Sequence, residues 1–560
     1  MEYYEKKYQT KSNVVINAWF IFILLVLGLT SIAKADCFNQ TLDKKNNFSD
    51  CVKLSNSGNV DAQFRLGIMF AAGLGTKQDY KQAFESFKKA AEQGDAPAQY
   101  SLGLMFAEGL GAKQDYKQAF EWIKKAAEQG NVDAQYNLGV MFDKGQWTTQ
   151  DYKQAFEWSK KAAEQGHAKA QYHLGLMFFE GEGTTQDYKQ AFEWCKKAAE
   201  QGNAPAQRRL GLMFFEGKGT TQDYKQAFEW SKKAAEQGDA EAQRRLGLMF
   251  FEGKGTTQDY KQAFEWCKKA AEQGDSPAQM LLGNMFYNGE GTTQDYKQAF
   301  KWSKKAAEQG DSPAQGFLGF MFYYGKGITQ DYKKAFEWSK KAAEQGYVDA
   351  QGRLGLMFVK GEGTTQDYKQ AFEWFKKAAE QGNVLAQGRL GLMFFDGKGT
   401  TQDYKQAFEW SKKAADQGNV LAQGRLGVMF YKGEGTTQDY KQAFKWFKKA
   451  AEQDDAHAQY KLASMFLNGE GTTQDYKQAF EWLKKAAEQG DVDAQYSLGH
   501  MFAGGIGTTQ DYVMAHMYFN VAGSSGEEKA KENRILVEKS MTSSQVEKAQ
   551  ELAREWVDRH

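Results

Sequence analysis

This chain of 560 residues has few of the residues that usually carry catalysis or metal binding. It contains six histidines, four cysteines and four prolines, and its formal net charge at pH 7 is only +1. No histidine lies at a metal-ligand spacing from a cysteine, aspartate or glutamate, so we predict neither a metal nor a cofactor. Each lysine pair shares its helix with a glutamate, and the net charge is close to zero, which excludes nucleic acid as the expected partner.

Serine-hydrolase motifs are equally scarce. The one Ser-x-x-Lys within the repeated part of the chain runs from Ser86 to Lys89, where other repeats carry tryptophan, and neither Ser-Asp-Asn nor Lys-Thr-Gly accompanies it. We therefore predict no catalytic residues and no enzyme activity.

What the chain has in abundance is one repeated unit. The dipeptide Ala-Gln recurs every 36 residues, without insertion or deletion, at Ala62, Ala98, Ala134, Ala170, Ala206, Ala242, Ala278, Ala314, Ala350, Ala386, Ala422, Ala458 and Ala494. A single globular core has no reason to be periodic, whereas stacked units bury their apolar faces against their neighbours. The period predicts a stack of thirteen similar units.

Each unit has the pattern of two amphipathic helices. In the first unit, a helix capped by Asn59 has apolar residues at helical spacing and ends at Gly73, and a second helix begins at Asp79 and ends at Gly94. The four prolines fall in the first turn of a first helix, where their missing N–H is harmless: Pro97, Pro205, Pro277 and Pro313. The predicted fold class is an all-α solenoid of helical hairpins.

The recurring segments A-x-x-L-G-x-M-F-x-x-G-x-G, Q-D-Y-x-x-A-F-x-W and K-K-A-A-E-Q-G resemble those of the Sel-one-like repeat (SLR) family, relatives of tetratricopeptide repeats. The resemblance covers residues 60 to about 522. It implies a right-handed superhelical α-solenoid that acts as a scaffold for protein complexes, in bacteria often secreted or envelope-associated and sometimes involved in host contact. Three departures, Trp147, Asp454 and Ala463, each replace a glycine and are expected to leave the fold intact.

The two ends differ from the repeats. Residues 1–35 combine lysines, an apolar run and an Ala-x-Ala site, which predicts a signal peptide cleaved after Ala35 and export to the periplasm or beyond. An uncleaved inner-membrane anchor stays open, because residues 14–33 reach the roughly 20 residues needed to span a bilayer; a membrane partner is expected only in that case. We expect an N-terminal capping half-repeat at 36–58, the solenoid at 59–522 and capping helices at 523–560. Cys37 and Cys51 could form a disulfide after export.

Variation between the repeats is concentrated in the first helix. By resemblance to tetratricopeptide stacking, this helix lines a concave groove, at positions −1, +2, +3, +6, +9 and +10 from the alanine of Ala-Gln. The candidate partner-binding residues are Arg208, Arg209, Arg244, Arg245, Phe215, Phe251, Tyr287, Tyr323, Arg353, Arg389 and Arg425. Arginines beside aromatic rings are typical of protein-binding surfaces. The first four arginines are expected to form one basic patch suited to an acidic, hydrophobic peptide.

A structural interpretation of the same residues stays open. In it, the rings pack between repeats and the arginines pair with Glu180, Glu216 and Glu252. Two functions remain accordingly. The favoured one is a non-catalytic scaffold that binds a protein or peptide of unspecified identity, with roles in host interaction or signalling. The alternative is an envelope hydrolase of the β-lactamase or penicillin-binding type, because some SLR proteins have been so described.

Overall fold

The computed structural model describes residues 44–559 of the chain. This range contains 29 α-helices and no β-strand. In chain order they are α1 (Lys44–Asn56), α2 (Val60–Ala72), α3 (Tyr80–Glu92), α4 (Ala96–Glu108), α5 (Tyr116–Glu128), α6 (Val132–Lys144), α7 (Tyr152–Glu164), α8 (Ala168–Glu180), α9 (Tyr188–Glu200), α10 (Ala204–Glu216), α11 (Tyr224–Glu236), α12 (Ala240–Glu252), α13 (Tyr260–Glu272), α14 (Ser276–Asn288), α15 (Tyr296–Glu308), α16 (Ser312–Tyr324), α17 (Tyr332–Glu344), α18 (Val348–Lys360), α19 (Tyr368–Glu380), α20 (Val384–Asp396), α21 (Tyr404–Asp416), α22 (Val420–Lys432), α23 (Tyr440–Ala451), α24 (Ala456–Asn468), α25 (Tyr476–Glu488), α26 (Val492–Gly504), α27 (Tyr512–Ser524), α28 (Glu528–Glu538) and α29 (Ser543–Arg559).

The helices from α2 to α27 form thirteen pairs, in which the even-numbered helix is the first of its repeat and the odd-numbered helix the second. The chain divides into two compact units, residues 1–278 and 279–560. Within each unit, a first helix packs both on the second helix of its own repeat and on that of the preceding repeat. The predicted all-α solenoid of helical hairpins is confirmed.

The predicted helix boundaries arise from local capping. The Asn59 side chain accepts a hydrogen bond from the Ala62 N–H at 2.8 Å and starts α2, which ends at Gly73 with a φ of 68°. Asp79 starts α3 by accepting bonds from the N–H groups of Lys81 and Gln82, both at 3.0 Å. Such caps satisfy backbone donors that have no partner inside the helix. The same chemistry recurs through both units, which explains the constant bounds.

The helix glycine, present in every repeat except the one with Ala463, permits close packing of the two helices. A Cβ added at Gly67 would lie 2.6 Å from the Phe87 ring, so a larger residue there would force the hairpin apart.

Where the chain departs from its own pattern, the fold persists as expected. Trp147 and Asp454 adopt the left-handed conformation of the glycines they replace, with φ values of 63° and 64°. The Trp147 ring stacks on Tyr116 with centroids 5.1 Å apart.

A buried glutamine explains why Ala-Gln is constant. In repeat after repeat, this glutamine donates from Nε2 to an alanine carbonyl of the preceding second helix and accepts from the glutamine that ends its own second helix. Gln207 is an example: it donates to the Ala199 carbonyl oxygen over 3.1 Å, and its Oε1 accepts from Gln237 Nε2 over 2.7 Å. The pair therefore links three consecutive helices through a buried side chain that is 5% exposed. Buried amide groups of this kind are retained when their hydrogen bonds are made.

The helices outside the thirteen pairs pack against the terminal repeats. Cys51 of α1 is fully buried with Ala62 and Met69, and α28 and α29 both pack on α27, around buried residues that include Phe519 and Tyr518. The predicted signal peptide and Cys37 lie outside the described residues, so the Cys37–Cys51 disulfide stays a prediction. Between residues 44 and 559, no helix has both the length and the apolar character that crossing a membrane requires.

Candidate functional site

We call the side chains at positions −1, +2, +3, +6, +9 and +10 of the first helices the first-helix face. Helix α20 shows how its residues alternate with the core. Its alanine, leucine and methionine core positions are buried, whereas Leu385 is 71% exposed and Arg389 is exposed. Leu421, at the equivalent position of α22, is 63% exposed. These variable residues of α20 and α22 thus face away from the core, whereas other members of the face, such as Arg209 and Tyr323, are buried.

In the first unit, the arginines of this face pair with carboxylates. Arg208 donates to Glu241 over 2.6 Å and lies 3.3 Å from Asp239, and Arg245 contacts the same Glu241 over 3.5 Å. Arg244 pairs with Asp275 over 3.2 Å. These guanidinium groups are about one-fifth to one-quarter exposed. The charge of this predicted basic patch is therefore largely balanced by carboxylates of the same unit.

The remaining candidates of the first unit make ring contacts. Arg209 is 9% exposed and lies 3.8 Å above the Phe179 ring. Phe215 and Phe251 pack edge-on against the first residue of the following helix, Tyr224 and Tyr260, at 5.0 and 5.1 Å. The Arg209–Phe179 contact joins two repeats, as the structural interpretation expects, whereas Phe215 and Phe251 contact tyrosines of their own repeats.

Two of the acidic partners proposed in that interpretation are wrong. Glu216 pairs with Lys218 at 3.0 Å and Glu252 with Lys254 at 2.8 Å, so neither takes an arginine. The partners of Arg208 and Arg244 lie instead at the start of the next first helix, at Asp239, Glu241 and Asp275. Arg245 contacts Glu241 at the start of its own helix. The cause is the direction of the side chains: the arginine at +2 reaches the N-terminal turn of the neighbouring first helix and Arg245 at +3 that of its own, while the glutamate at +10 lies at the far end of the helix.

In the second unit, Arg353, Arg389 and Arg425 of this face form no ion pair within the part of the chain that the structure describes. Arg353 Nη1 donates to the Gly316 carbonyl oxygen over 2.6 Å, and Arg425 Nη1 to the Gly388 carbonyl oxygen over 2.8 Å. Burial lowers the pKa of Arg353, and it lowers the pKa of Arg425 to about 10. The acceptor of each arginine is the carbonyl of the glycine at +2 of the preceding repeat. Arg389 is exposed, and none of the three forms an ion pair with any residue in the described range.

Tyr287 and Arg353 line a pocket of about 260 Å³ with residues that the sequence analysis did not select. Phe317 and Phe320 are stacked in parallel at 5.9 Å, and Tyr287 meets them edge-on at 5.3 and 5.9 Å. The Arg353 guanidinium lies 5.5 Å from the Phe320 ring.

Tyr347, Asp349 and Asn284 add to the lining of this pocket. A Cβ at Gly316 would lie 2.5 Å from the Tyr347 ring, so the glycine makes room for this tyrosine. The signal that could have identified the missed residues is their departure from the repeat pattern: Phe317, Phe320 and Tyr347 are the one phenylalanine, phenylalanine and tyrosine at their respective positions.

Tyr323 lies outside this pocket. It is buried, and its hydroxyl donates to Glu362 over 2.5 Å and accepts from Lys360 over 3.3 Å. Tyr431 makes the equivalent contact with Glu470 over 3.0 Å. These tyrosines join adjacent repeats.

The serines relevant to hydrolysis are buried. Ser86 Oγ donates to the Gln82 carbonyl oxygen of its own helix over 2.8 Å. Ser159 Oγ lies 2.8 Å from His173 Nδ1, and His173 Nε2 lies 3.5 Å from Asp143, which places three residue types of a hydrolase triad together. Ser159 is nevertheless 0% exposed, under the backbone of Gly139, so its hydroxyl is closed to a substrate. Over the range 44–559, no three His, Cys, Asp or Glu residues are grouped to hold a metal ion.

Comparison with known proteins identifies the repeat. The profile of the Sel1 repeat matches thirteen consecutive segments: residues 60–95, 96–131, 132–167, 168–203, 204–239, 240–275, 276–311, 312–347, 348–383, 384–419, 420–455, 456–491 and 492–527. The chain is similar to c5321, a protective antigen present in uropathogenic Escherichia coli strains that displays an SLR fold, with 36% identity over 85% of this chain and 94% of that one and a TM-score of 0.57.

A Sel1 repeat protein from Oxalobacter formigenes is 30% identical over 66% of this chain and 99% of its own, with a TM-score of 0.44. No curated protein is similar enough to count as a match.

Proposed function

The chain belongs to the Sel1 repeat family, and on that premise we propose that it is a non-catalytic scaffold that binds a protein or peptide along the first-helix face. The observation that carries the proposal is the contrast between the two helices of a repeat. Exposed second-helix residues such as Lys153 and Glu157 recur almost unchanged, whereas the exposed first-helix residues differ from repeat to repeat. A protein partner whose own surface does not repeat requires a binding surface that varies in this way.

The chemistry of the face supports this function. It carries tyrosine, phenylalanine and arginine, the residues enriched where proteins bind each other. It also exposes Leu385 and Leu421 on adjacent repeats. Since large apolar side chains gain free energy when they are covered, these leucines favour a partner with apolar side chains of its own.

We further propose that the protein is exported, with a mature N-terminus at Asp36 and a role in host interaction or signalling. The similar protein c5321 is a protective antigen, and a location outside the cytoplasm suits a protein that meets the immune system. Intact-mass measurement of the protein from its native host tests the cleavage. A membrane-bound species that begins at Met1 would instead support the anchor.

The hydrolase alternative is not supported by the serines described above, because both hydroxyl groups are buried. Incubation of the pure protein with a chromogenic β-lactam is the direct test. We expect no turnover, and a saturable rate that is lost in the Ser86→Ala variant would revive the alternative.

Site-specific photo-crosslinking tests which helices contact the partner. A photoreactive amino acid replaces Leu385 or Leu421 on the first-helix face; in matched controls it replaces Lys405 or Lys441, which are exposed on second helices. In an extract of the native host, we expect the first pair to capture the same discrete partner band and the second pair to give none. Equal capture by both pairs, or capture by the lysine positions alone, would refute binding along the first-helix face.

A further inference from the structure

We infer that the pocket between α14, α16 and α18 is an anchor site for one aromatic side chain of a peptide that also carries a neighbouring carboxylate, which Arg353 would bind. This inference rests on the proposed function and names the chemistry of the ligand at one place on the first-helix face. It assigns Tyr287, Phe317, Phe320 and Tyr347 to the ring of the ligand.

The size and lining of the pocket indicate a single side chain. Its volume, about 260 Å³, is below the range of roughly 300–1,000 Å³ that is typical of sites for whole drug-sized molecules. Three of its rings already meet one another edge-on or stacked, at 5.3 to 5.9 Å. A further ring can add to such a cluster in the same geometries. Buried aromatic anchors in pockets of this kind dominate the affinity of many protein interfaces.

Charge complementarity indicates the acidic neighbour. The guanidinium of Arg353 lines the pocket, donates to one backbone carbonyl and has no ion pair among residues 44–559. The equivalent Arg389 and Arg425, on the next two first helices, likewise form no ion pair in this range. Acidic residues at the C-terminal ends of these helices are paired with lysines: Glu362 with Lys360, Asp396 with Lys398 and Glu434 with Lys432. A row of arginines that form no ion pair favours a ligand that brings its own carboxylates.

Asp349 restricts where that carboxylate can lie. It lines the same pocket and accepts a bond from Asn383 Nδ2 over 3.3 Å. A second acidic group on its side would be repelled, so the ligand carboxylate is confined to the side of Arg353. The two charged residues therefore orient the peptide as well as binding it.

The pocket also departs from rules that the rest of the chain obeys. Twelve of the thirteen first helices begin with a residue whose side chain caps the backbone, as Asn383 does over 2.9 Å, whereas Tyr347 makes no side-chain cap bond. The same small region has the one phenylalanine at each of positions +3 and +6. Natural sequences give up such local preferences mainly where function requires it. That the exceptions meet in one pocket is the reason to assign it a ligand.

The test uses a fluorescein-labelled peptide with one tryptophan between two aspartates, flanked by glycine and serine, and two companions. One companion has asparagine in place of aspartate, and the other has alanine in place of tryptophan. Fluorescence anisotropy with the full chain should show the first peptide binding about tenfold or more tightly than either companion. Loss of a charge-assisted pair or of an aromatic anchor has an effect of this order.

Three variants assign the binding to residues. Phe320→Leu and Tyr347→Asn each introduce the residue that equivalent positions carry, Leu356 and Asn383, so the fold is expected to persist; circular dichroism checks this. Each should weaken the tryptophan peptides about tenfold. Arg353→Gln should weaken the acidic peptide about tenfold and the asparagine peptide less than twofold. The control Lys405→Gln removes a positive charge from an exposed second-helix position outside the first-helix face and should leave binding within twofold.

Two outcomes overturn the inference. If Lys405→Gln weakens binding as much as Arg353→Gln, the attraction is general and the pocket is not a site. If the acidic tryptophan peptide fails to bind while crosslinking at Leu385 and Leu421 succeeds, the pocket assignment is wrong and the scaffold function stands. Failure of both experiments refutes the proposed function as well.

Discussion

The glutamine pair that joins the repeats predicts that substitutions of its two side chains will not be additive in stability. Replacing Gln207 by methionine removes its bonds to the Ala199 carbonyl and to Gln237 Nε2. The Ala199 carbonyl keeps the N–H of Gly202 at 3.0 Å, and Gln237 is exposed to water. Two net hydrogen bonds are lost at about 0.5–1.5 kcal/mol each, so we expect a destabilisation of about 1–3 kcal/mol.

Replacing the exposed Gln237 by alanine should destabilise the junction nearly as much as Gln207→Met does. It leaves the Gln207 Oε1 buried without its donor, and an unsatisfied buried acceptor costs about 1–3 kcal/mol. In the double variant that acceptor is gone. We therefore expect the double variant, Gln207→Met with Gln237→Ala, to be destabilised no more than Gln207→Met alone. This corresponds to a coupling energy between the two side chains of about 1 kcal/mol or more.

Native-state hydrogen exchange is the suitable assay, because a repeat array opens locally and lacks one global unfolding transition. The free energy of opening is read at the amides of Gly202 and Asn203, which bond to the Ala199 and Ala198 carbonyls at the end of α9, beside the glutamine pair. Gln226→Met, at an exposed second-helix position, is the matched control and should change it by less than about 0.5 kcal/mol. If the double variant costs the sum of the two single variants, the glutamines do not bond to each other in solution and the reasoning fails.

Three further predictions concern other parts of the molecule. Glu241→Gln leaves Arg208 and Arg245 without their shared carboxylate. Because the three side chains are partly exposed, we expect the free energy of local opening to fall by about 1 kcal/mol, measured by the same exchange method. No change would mean that water already screens the ion pairs. Burial raises the pKa of Cys195 and Cys267 to about 12, so both thiols should resist a disulfide reagent at pH 8 until the chain unfolds. Because the thiols of the unfolded chain ionise at lower pH, the stability of the folded chain should fall as the pH rises above about 9. Rapid labelling of the native protein would contradict this prediction. Deleting residues 511–560 uncovers the apolar surface of α26, and we expect aggregation by light scattering, whereas a fully soluble truncated array would show that α27–α29 are not a cap.

The scaffold could be predicted from the sequence because its causes are local. Asn59, Asp79 and Gly73 fix helix ends by bonds to backbone only a few residues away, and the 36-residue period carries the same bonds through the chain. The fold class and the helix bounds therefore follow from one repeat and the knowledge that repeats stack.

The surface could be predicted only in part, because its causes lie between repeats. The sequence placed Arg208 and Arg244 on adjacent helices, but their charge balance depends on Glu241 and Asp275, 33 and 31 residues further on. The pocket residues Phe317 and Phe320 were missed for a different reason. Residue types that recur along the first helices point to Tyr287 and Arg353, whereas these two are exceptions to the pattern, and only the structure shows that the exceptions meet Tyr287.

The glutamine pair also bears on how such a chain can change in evolution. Because the junctions within a unit are made by the same two side chains, an in-frame gain or loss of 36 residues through unequal recombination rejoins surfaces that already fit. No new interface has to be selected. A lineage could thus lengthen or shorten its array by whole repeats at little cost to folding. A repeat inserted between α18 and α20, however, would move Arg389 away from the pocket. It would therefore change which peptides the pocket and Arg389 could bind together.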